Sequence, residues 1–444
     1  MIEWKDNSEY HWSENVERIL PFANTPISSL LDEKGKSLLV FPLSFQECED
    51  CIGKQHLFDI TPKKNSYTVR TSNLAGFIGL KDLYITIRSR FGTEKGDDYF
   101  LHYMLKKVLS VNLFNLKHTT TDEQVFDFLL HLFPYFLNKA LVQGLYKEYQ
   151  RNQYNDCNVR GTIDISRHIK YNIPFNGCVA YSTREFCYDN HVTQLFRHTI
   201  EYIRTRQIGE ILLHVHPDTL ENVSQIIFAT PKYRKQDRLR VIKSNLKPLV
   251  HPYFTQYAPL QKLCLSILHH EQLKYGQKNH EIHGILFDVA LLWEEYLSTL
   301  LIPLGFKHPN NRQSIGGIWL GYSQKGNKKN NAFLRYPDFY DRERNIVLDA
   351  KYKNQIDSVD DVNQIITYLY RLKGHIGMFV HPTVDENKTK SYRLRGYGDD
   401  NNTHLVEYQF HIPTSVSSYE DFERSIRLSE TTLKEQIGLL HSLS

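Results

Sequence analysis

The sequence predicts an α+β protein in three parts: a small mixed β domain, a helical middle region and a C-terminal α/β domain. Three observations carry this. The first 95 residues hold β-branched and aromatic runs, one of them (83–91) alternating with period two, apolar residues repeat with helical spacing from about residue 97, and helix and strand patterns alternate after about 275. The expected boundaries are 1–155 (β-rich, then helical), 156–273 (mostly helical) and 274–444 (α/β). Two or three domains suit a chain of 444 residues, at roughly 100–200 residues per domain.

The elements follow in order. SLLVFPLSF (37–45) and LYITIRSRF (83–91) are rich in β-branched and aromatic residues, and the second sets Leu83, Ile85 and Ile87 on one face. Gly76 and Gly79 punctuate the approach to it. Helical spacing begins with Phe100, Met104, Leu105 and Val108, and continues with Val125, Phe126, Leu129, Leu130, Phe133, Leu137 and Leu141. Pro134 inside that second pattern is expected to kink or break it. VRGTIDI (159–165) reads as a strand, and helices are expected over 191–207 and around 257–273. The last part gives a helix over 287–301, a Gly-, Asn- and Lys-rich loop over 314–331, a strand FLRYPDFY (333–340), an apolar strand IVLDAKYK (346–353), a helix over 361–372 and a strand over 375–382.

Composition excludes several classes. Hydrophobic residues make up 41% and charged residues 23%, as in globular domains, and 28 Tyr with 24 Phe argue against disorder. The N-terminal MIEWKDNSEYHWSENVERIL has no apolar run of signal-peptide type, and no stretch is apolar enough to span a membrane. Six cysteines fit a reducing, cytoplasmic setting. Cys48 and Cys51 form a C-x-x-C with no second pair at zinc-ribbon spacing, which favours ordinary thiols. The net charge of +4 names no polyanionic partner by itself. Segment 231–247 holds seven basic residues and one acid, and reads either as a solvated face or as a phosphate-contacting surface.

The chemistry concentrates in the last part. Asp338 ends the expected 333–340 strand, and Asp349 and Lys351 lie two apart near the end of the next, hence on one side of it. A hairpin would bring Asp338 beside Asp349. Converging carboxylates next to an ammonium suit a hard divalent cation, Mg²⁺ or Mn²⁺, which takes oxygen ligands, keeps several waters and polarises a phosphoryl group. Glu294, on the preceding helix, is the candidate third carboxylate; the metal set is Glu294, Asp338 and Asp349. Lys351 is placed to orient or deprotonate the attacking water, or to neutralise developing charge. A structural ion pair at a strand end is the plainer alternative. Lys325, Lys328, Lys329 and Arg335, with no acid among them, precede Asp338 and read as a clamp for a phosphate backbone, which the resemblance below makes that of DNA, or as an exposed tip.

The run Tyr336-Pro337-Asp338 to Asp349-Ala350-Lys351 resembles the PD-(D/E)xK nuclease motif. Gln364 and Tyr368 resemble the Q-x-x-x-Y element of RecB-like members. Asp288 with Trp293-Glu294 resembles the helix that opens the nuclease domain of the McrC family, with Trp293 where Phe is usual. Val159-Arg160-Gly161-Thr162-Ile163-Asp164, Arg184-Glu185-Phe186 and Asp189-Asn190 resemble that family's central motifs, as does the strand Leu83 to Arg90 before a helix at Phe100 to Leu109. The resemblance covers most of the chain from about residue 75.

It implies a restriction-endonuclease-like fold for 274–444, and a nuclease subunit of a restriction system acting on DNA with a McrB-like AAA+ GTPase hexamer. The N-terminal part would dock on that motor and stimulate it. Asp338 and Asp349 become metal ligands, Lys351 the catalytic lysine and Glu294 the helical carboxylate, while Gln364 and Tyr368 support the site or touch the backbone. No nucleotide site is expected in this chain: Gly35-Lys36-Ser37 lacks the glycine a P-loop needs at position 30, which is Leu30, and there is no G-x-G-x-x-G. The competing readings are a non-catalytic adaptor that activates the motor and a stand-alone RecB-like nuclease.

Overall fold

The computed structural model describes residues 2–13, 16–33, 37–41, 54–63, 66–80, 83–93, 98–109, 122–206, 209–214, 216–275, 283–309, 315–325, 328–353, 355–386, 388–395 and 403–441. Cys48, Cys51, Gly35 and Lys36 lie outside them. The fold is mixed α+β. The chain groups into two compact units, one of residues 1–118 with 279–444 and one of residues 119–278.

The first unit carries three larger sheets. A five-stranded sheet runs in the order Ile2–Lys5, Leu83–Arg88, Leu74–Leu80, His283–Asp288, Ser37–Phe41. The strand His283–Asp288 therefore closes into a sheet otherwise made by the first 90 residues, parallel to Ser37–Phe41 and antiparallel to Leu74–Leu80. Gly76 makes that pairing possible: its φ is 137°, and a Cβ there would lie 2.0 Å from the Ile285 carbonyl oxygen. A three-stranded sheet, Glu9–Trp12, Ser66–Thr71 and Phe58–Lys63, shares one apolar core with it, built on Trp4, Phe22, Phe58, Val69 and Ile85.

The third sheet runs Phe339–Asp341, Ile346–Ala350, Ile376–Thr383, His404–His411, Thr389–Arg393. Its outer pairs are antiparallel and its inner pairs parallel. Helix Asp360–Leu372 crosses between the two parallel strands Ile346–Ala350 and Ile376–Thr383, a βαβ unit. Its apolar residues Ile365, Tyr368 and Leu369, spaced i, i+3, i+4, pack on Val347 and Phe379 of the sheet. Helix Val289–Leu301 follows directly from the N-terminal sheet. Asp288 caps it, accepting the Leu291 N–H at 3.1 Å.

The second unit is mainly helical, with a sheet of Glu148–Asp156, Val179–Cys187 and the short strand Thr162–Ile163. Three of the motif residues have local structural work here. A Cβ on Gly161 would sit 2.2 Å from the Ser182 carbonyl oxygen, so only glycine permits the close strand approach. Asp164 caps helix Ile165–Tyr171 through the Arg167 N–H, and Asn190 caps helix His191–Arg204 through the N–H groups of Val192 and Thr193.

Four expectations are corrected. The 159–165 strand is only Thr162–Ile163, because Asp164 starts a helix. Helix Asp122–Leu141 runs through Pro134 without ending; Leu130, Phe133 and Leu137 are fully buried around it, and that burial outweighs the lost backbone bond. The 314–331 loop is largely an antiparallel hairpin, Ile318–Lys325 with Lys328–Arg335. The 333–340 strand is interrupted, with Arg335 ending one strand and Phe339 beginning the next, since Pro337 cannot continue the ladder.

Candidate active site

The register of one hairpin assembles the site. Phe339 pairs with Leu348 and Tyr340 with Val347, so Asp338, one step before the short strand, comes opposite Asp349. The Asp338 carboxylate accepts the Ala350 N–H at 2.8 Å. Asp349 is 1% exposed, and neither of its oxygens accepts a well-aligned hydrogen bond. Lys351 Nζ lies 2.7 Å from Asp349 Oδ2. The Lys351 N–H donates to the Val380 carbonyl at 3.0 Å, which holds the chain extended one residue past the strand and keeps 349 and 351 on one side.

The helix behind the sheet fixes the lysine. Lys351 Nζ donates to Gln364 Oε1 at 2.9 Å, Gln364 Nε2 donates to the Tyr368 hydroxyl at 3.1 Å, and that hydroxyl donates to the Tyr336 carbonyl at 3.2 Å. The chain of bonds runs from the ammonium back to the segment that presents Asp338. Gln364 and Tyr368 lie four apart, one helical turn, as a shared face requires.

Electrostatics mark the site as short of positive charge. Burial, then the charges of Asp349 and Glu294, push the Asp338 carboxyl well above the usual carboxylate range. Burial also raises Asp349, against the pull of Lys351. Lys351 moves upward: burial opposes its charge, but Asp349, Asp338 and Asp361 overcome it. An ammonium so held stays protonated at neutral pH, which favours donation and charge neutralisation over proton abstraction.

Glu294 acts on Asp338 through its charge, and its carboxylate lies 3.9 Å from His308 Nε2. Among the described residues no three His, Cys, Asp or Glu side chains form a ready-made metal cage. The donor set nonetheless fits a divalent cation: both Asp349 oxygens are buried with only the Lys351 ammonium close by, and burial raises both carboxyls, Asp338 further through the charge of Asp349. A cation between carboxylates and solvent relieves both strains. Arg335 is exposed and donates to the Leu334 carbonyl. Lys325 and Lys328 pair at the end of their hairpin, and Lys329 pairs with Gln324; these lysine side chains lie outside the described residues.

Two residues were missed. His308 is 14% exposed, stacks on Phe339 at 4.6 Å and places Nδ1 2.7 Å from the Asp338 carbonyl oxygen, bridging from Glu294 to the backbone of Asp338. No local motif marks it. Asp361 opens helix Asp360–Leu372 and lies 3.3 Å from Lys351 Nζ and 2.9 Å from Lys353 Nζ. Burial pushes it upward, yet the Lys353 ammonium, the Asp357 N–H and Lys351 hold it below the usual range. The acidic pair Asp360-Asp361 was its signal, legible only as a helix start.

The family model described as "McrBC 5-methylcytosine restriction system component" matches residues 69–382, well over half of the chain. Two solved structures resemble it. One is a half-complex from a tetradecameric assembly of Thermococcus gammatolerans McrB AAA+ hexamers with bound McrC, at 15% identity over 96% of this chain and 99% of that chain, with a TM-score of 0.45. The other is the Thermococcus gammatolerans McrBC complex, at 13% identity over 68% of this chain and 87% of that chain, with a TM-score of 0.30. Comparison with curated proteins gives no match.

Proposed function

Since the chain belongs to the McrBC 5-methylcytosine restriction system component family, we propose that it is the McrC-like nuclease subunit of such a system. It hydrolyses DNA phosphodiester bonds with Mg²⁺ and works with a McrB-like AAA+ GTPase. The observation that carries this reading is the convergence of Asp338 and Asp349 with Lys351 Nζ 2.7 Å from Asp349 Oδ2, beneath the Gln364–Tyr368 relay. The sheet with its crossover helix is read as a PD-(D/E)xK core on the same grounds.

Asp338 and Asp349 would hold the cation, with Glu294 adding negative charge. Bound Mg²⁺ supplies Lewis-acid neutralisation of the phosphoryl oxygens and lowers the pKa of its waters. Lys351 stays charged, donates to a phosphate oxygen and offsets the charge that builds as the bond breaks. Gln364 keeps the ammonium aimed, and Tyr368 ties that aim to the strand entry.

The test uses the full chain, a McrB-like GTPase, GTP, Mg²⁺ and a plasmid carrying 5-methylcytosine. The native chain is expected to cut, and Asp349→Ala to stop cutting while stimulation of GTP hydrolysis survives. If the native chain stimulates the motor and never cuts, the non-catalytic adaptor reading replaces this one. Cutting without partner or nucleotide would make it a stand-alone RecB-like nuclease.

A further inference from the structure

Segment 231–247 lies in the second unit and takes no part in the carboxylate site. It holds seven basic residues against one acid, Asp237. That local excess of six exceeds the net charge of the whole chain, +4, and leaves the remainder at −2. Lys232, Arg234, Lys235, Arg240, Lys243 and Lys247 are all exposed. Asp237 is committed to Arg240, at 3.2 Å. Among the described residues no ion pair engages Arg234, Lys235, Lys243 or Lys247. Arg240 and Lys243 stand three apart on helix Arg238–Ser244 and, with Leu239 and Ser244, line one shallow groove. Like charges at this spacing repel and destabilise a short helix, so the arrangement gains when an anion lies across it.

The segment is also held in place. The Tyr233 ring packs on buried His198 at 4.7 Å, and the Arg197 guanidinium lies over the same ring, 4.9 Å from its centroid. The Lys232 N–H donates to Asp189 Oδ2 at 2.9 Å, and buried Asn245 donates to the His191 carbonyl at 2.8 Å. Fixed cations lose little freedom on binding, unlike those of a loose tail. A polyanion of regular charge spacing fits such a surface better than a folded protein, whose acidic groups are sparser and interspersed with cations.

We propose that segment 232–247 is a docking surface for the sugar-phosphate backbone of duplex DNA, independent of the carboxylate site. The inference rests on the reading of the chain as acting on DNA, and adds a sequence-independent contact on the second unit.

The test measures binding of a fluorescent 30-base-pair duplex to the full chain in Ca²⁺, from low to high salt. The variant is Lys235→Gln/Lys243→Gln/Lys247→Gln, whose exposed glutamines keep the helix. Each lost phosphate contact removes about 0.9 from the slope of log K against log salt. The slope should fall by about 3, and affinity near 0.15 M salt by about tenfold or more. An unchanged slope and affinity, in a native chain that binds and cuts, overturn this proposal alone. A native chain that neither binds nor cuts duplex DNA, with its partner present, overturns the nuclease reading and this inference with it.

Discussion

Asp338 accepts the backbone N–H of Ala350 at 2.8 Å, and this bond presses its carboxylate toward Asp349. An asparagine at 338 can accept the same N–H but brings no charge. Asp338→Asn is therefore expected to stabilise the fold by about 1 kcal/mol at pH 8, while cleavage is lost. The sign follows from linkage. A carboxyl whose pKa rises on folding contributes stability at low pH and loses it as pH climbs through the folded value, so the advantage of the amide grows with pH. Urea denaturation at pH 5 and pH 8 reads it. Loss of stability in the variant would instead mark Asp338 as one half of a structural ion pair.

The relay from Lys351 through Gln364 to Tyr368 aims an ammonium rather than building the core. Gln364→Ala is expected to slow cleavage about tenfold, a loss of ~1.4 kcal/mol in the barrier, with duplex affinity in Ca²⁺ unchanged. Single-turnover cleavage with a parallel binding assay separates the two. A fall in affinity with unchanged rate would place Gln364 on the DNA backbone instead.

A second acidic pair, Asp6 and Asp98, acts on Tyr352, the residue after Lys351. Burial pushes Asp98 up to about 7, against the N–H groups of Ser89 and Leu101 that it accepts, and pushes Asp6 up to about 6, against Arg90. Both folded values exceed the unfolded ones, so their protonated forms favour folding. That contribution is complete below pH 4 and disappears as pH rises through about 6 to 7. Asp98→Asn, which keeps one of the two acceptor oxygens and removes the titration, should lower stability overall yet narrow the drop in denaturation midpoint between pH 5 and pH 8. An identical drop in both chains would contradict it.

Pro134 lacks the N–H that the helix Asp122–Leu141 would otherwise use. Pro134→Ala is expected to raise stability by about 1–3 kcal/mol, read as a higher thermal midpoint. A lower midpoint would show that the pyrrolidine ring fills space an alanine cannot.

What the sequence revealed, and what it hid, follows from the range of the interactions. Asp349 and Lys351 were legible because strand alternation is local, and Asp338 because a short turn leaves one register that pairs Phe339 with Leu348. Gln364 and Tyr368 were legible only through their resemblance to the Q-x-x-x-Y element, whose four-residue spacing sets both on one helical face. His308 was not, because its place depends on Asp338 and Glu294, 30 and 14 positions away. The strand His283–Asp288 was hidden for the same reason, since its partners are Ser37–Phe41 and Leu74–Leu80. Pro134 does not break its helix because the burial of Phe133 and Leu137 counts for more there than propensity alone. The 314–331 stretch misled because its Gly, Asn and Lys content reads as loop, although cross-strand pairing sets its conformation.

The most direct measurement is a calorimetric titration of Mn²⁺ into the full chain and into Asp349→Ala. The account predicts that the native chain binds the ion and that the variant does not, with both chains folded by circular dichroism. Equal binding by the two chains, or none by the native chain with DNA present, would contradict it.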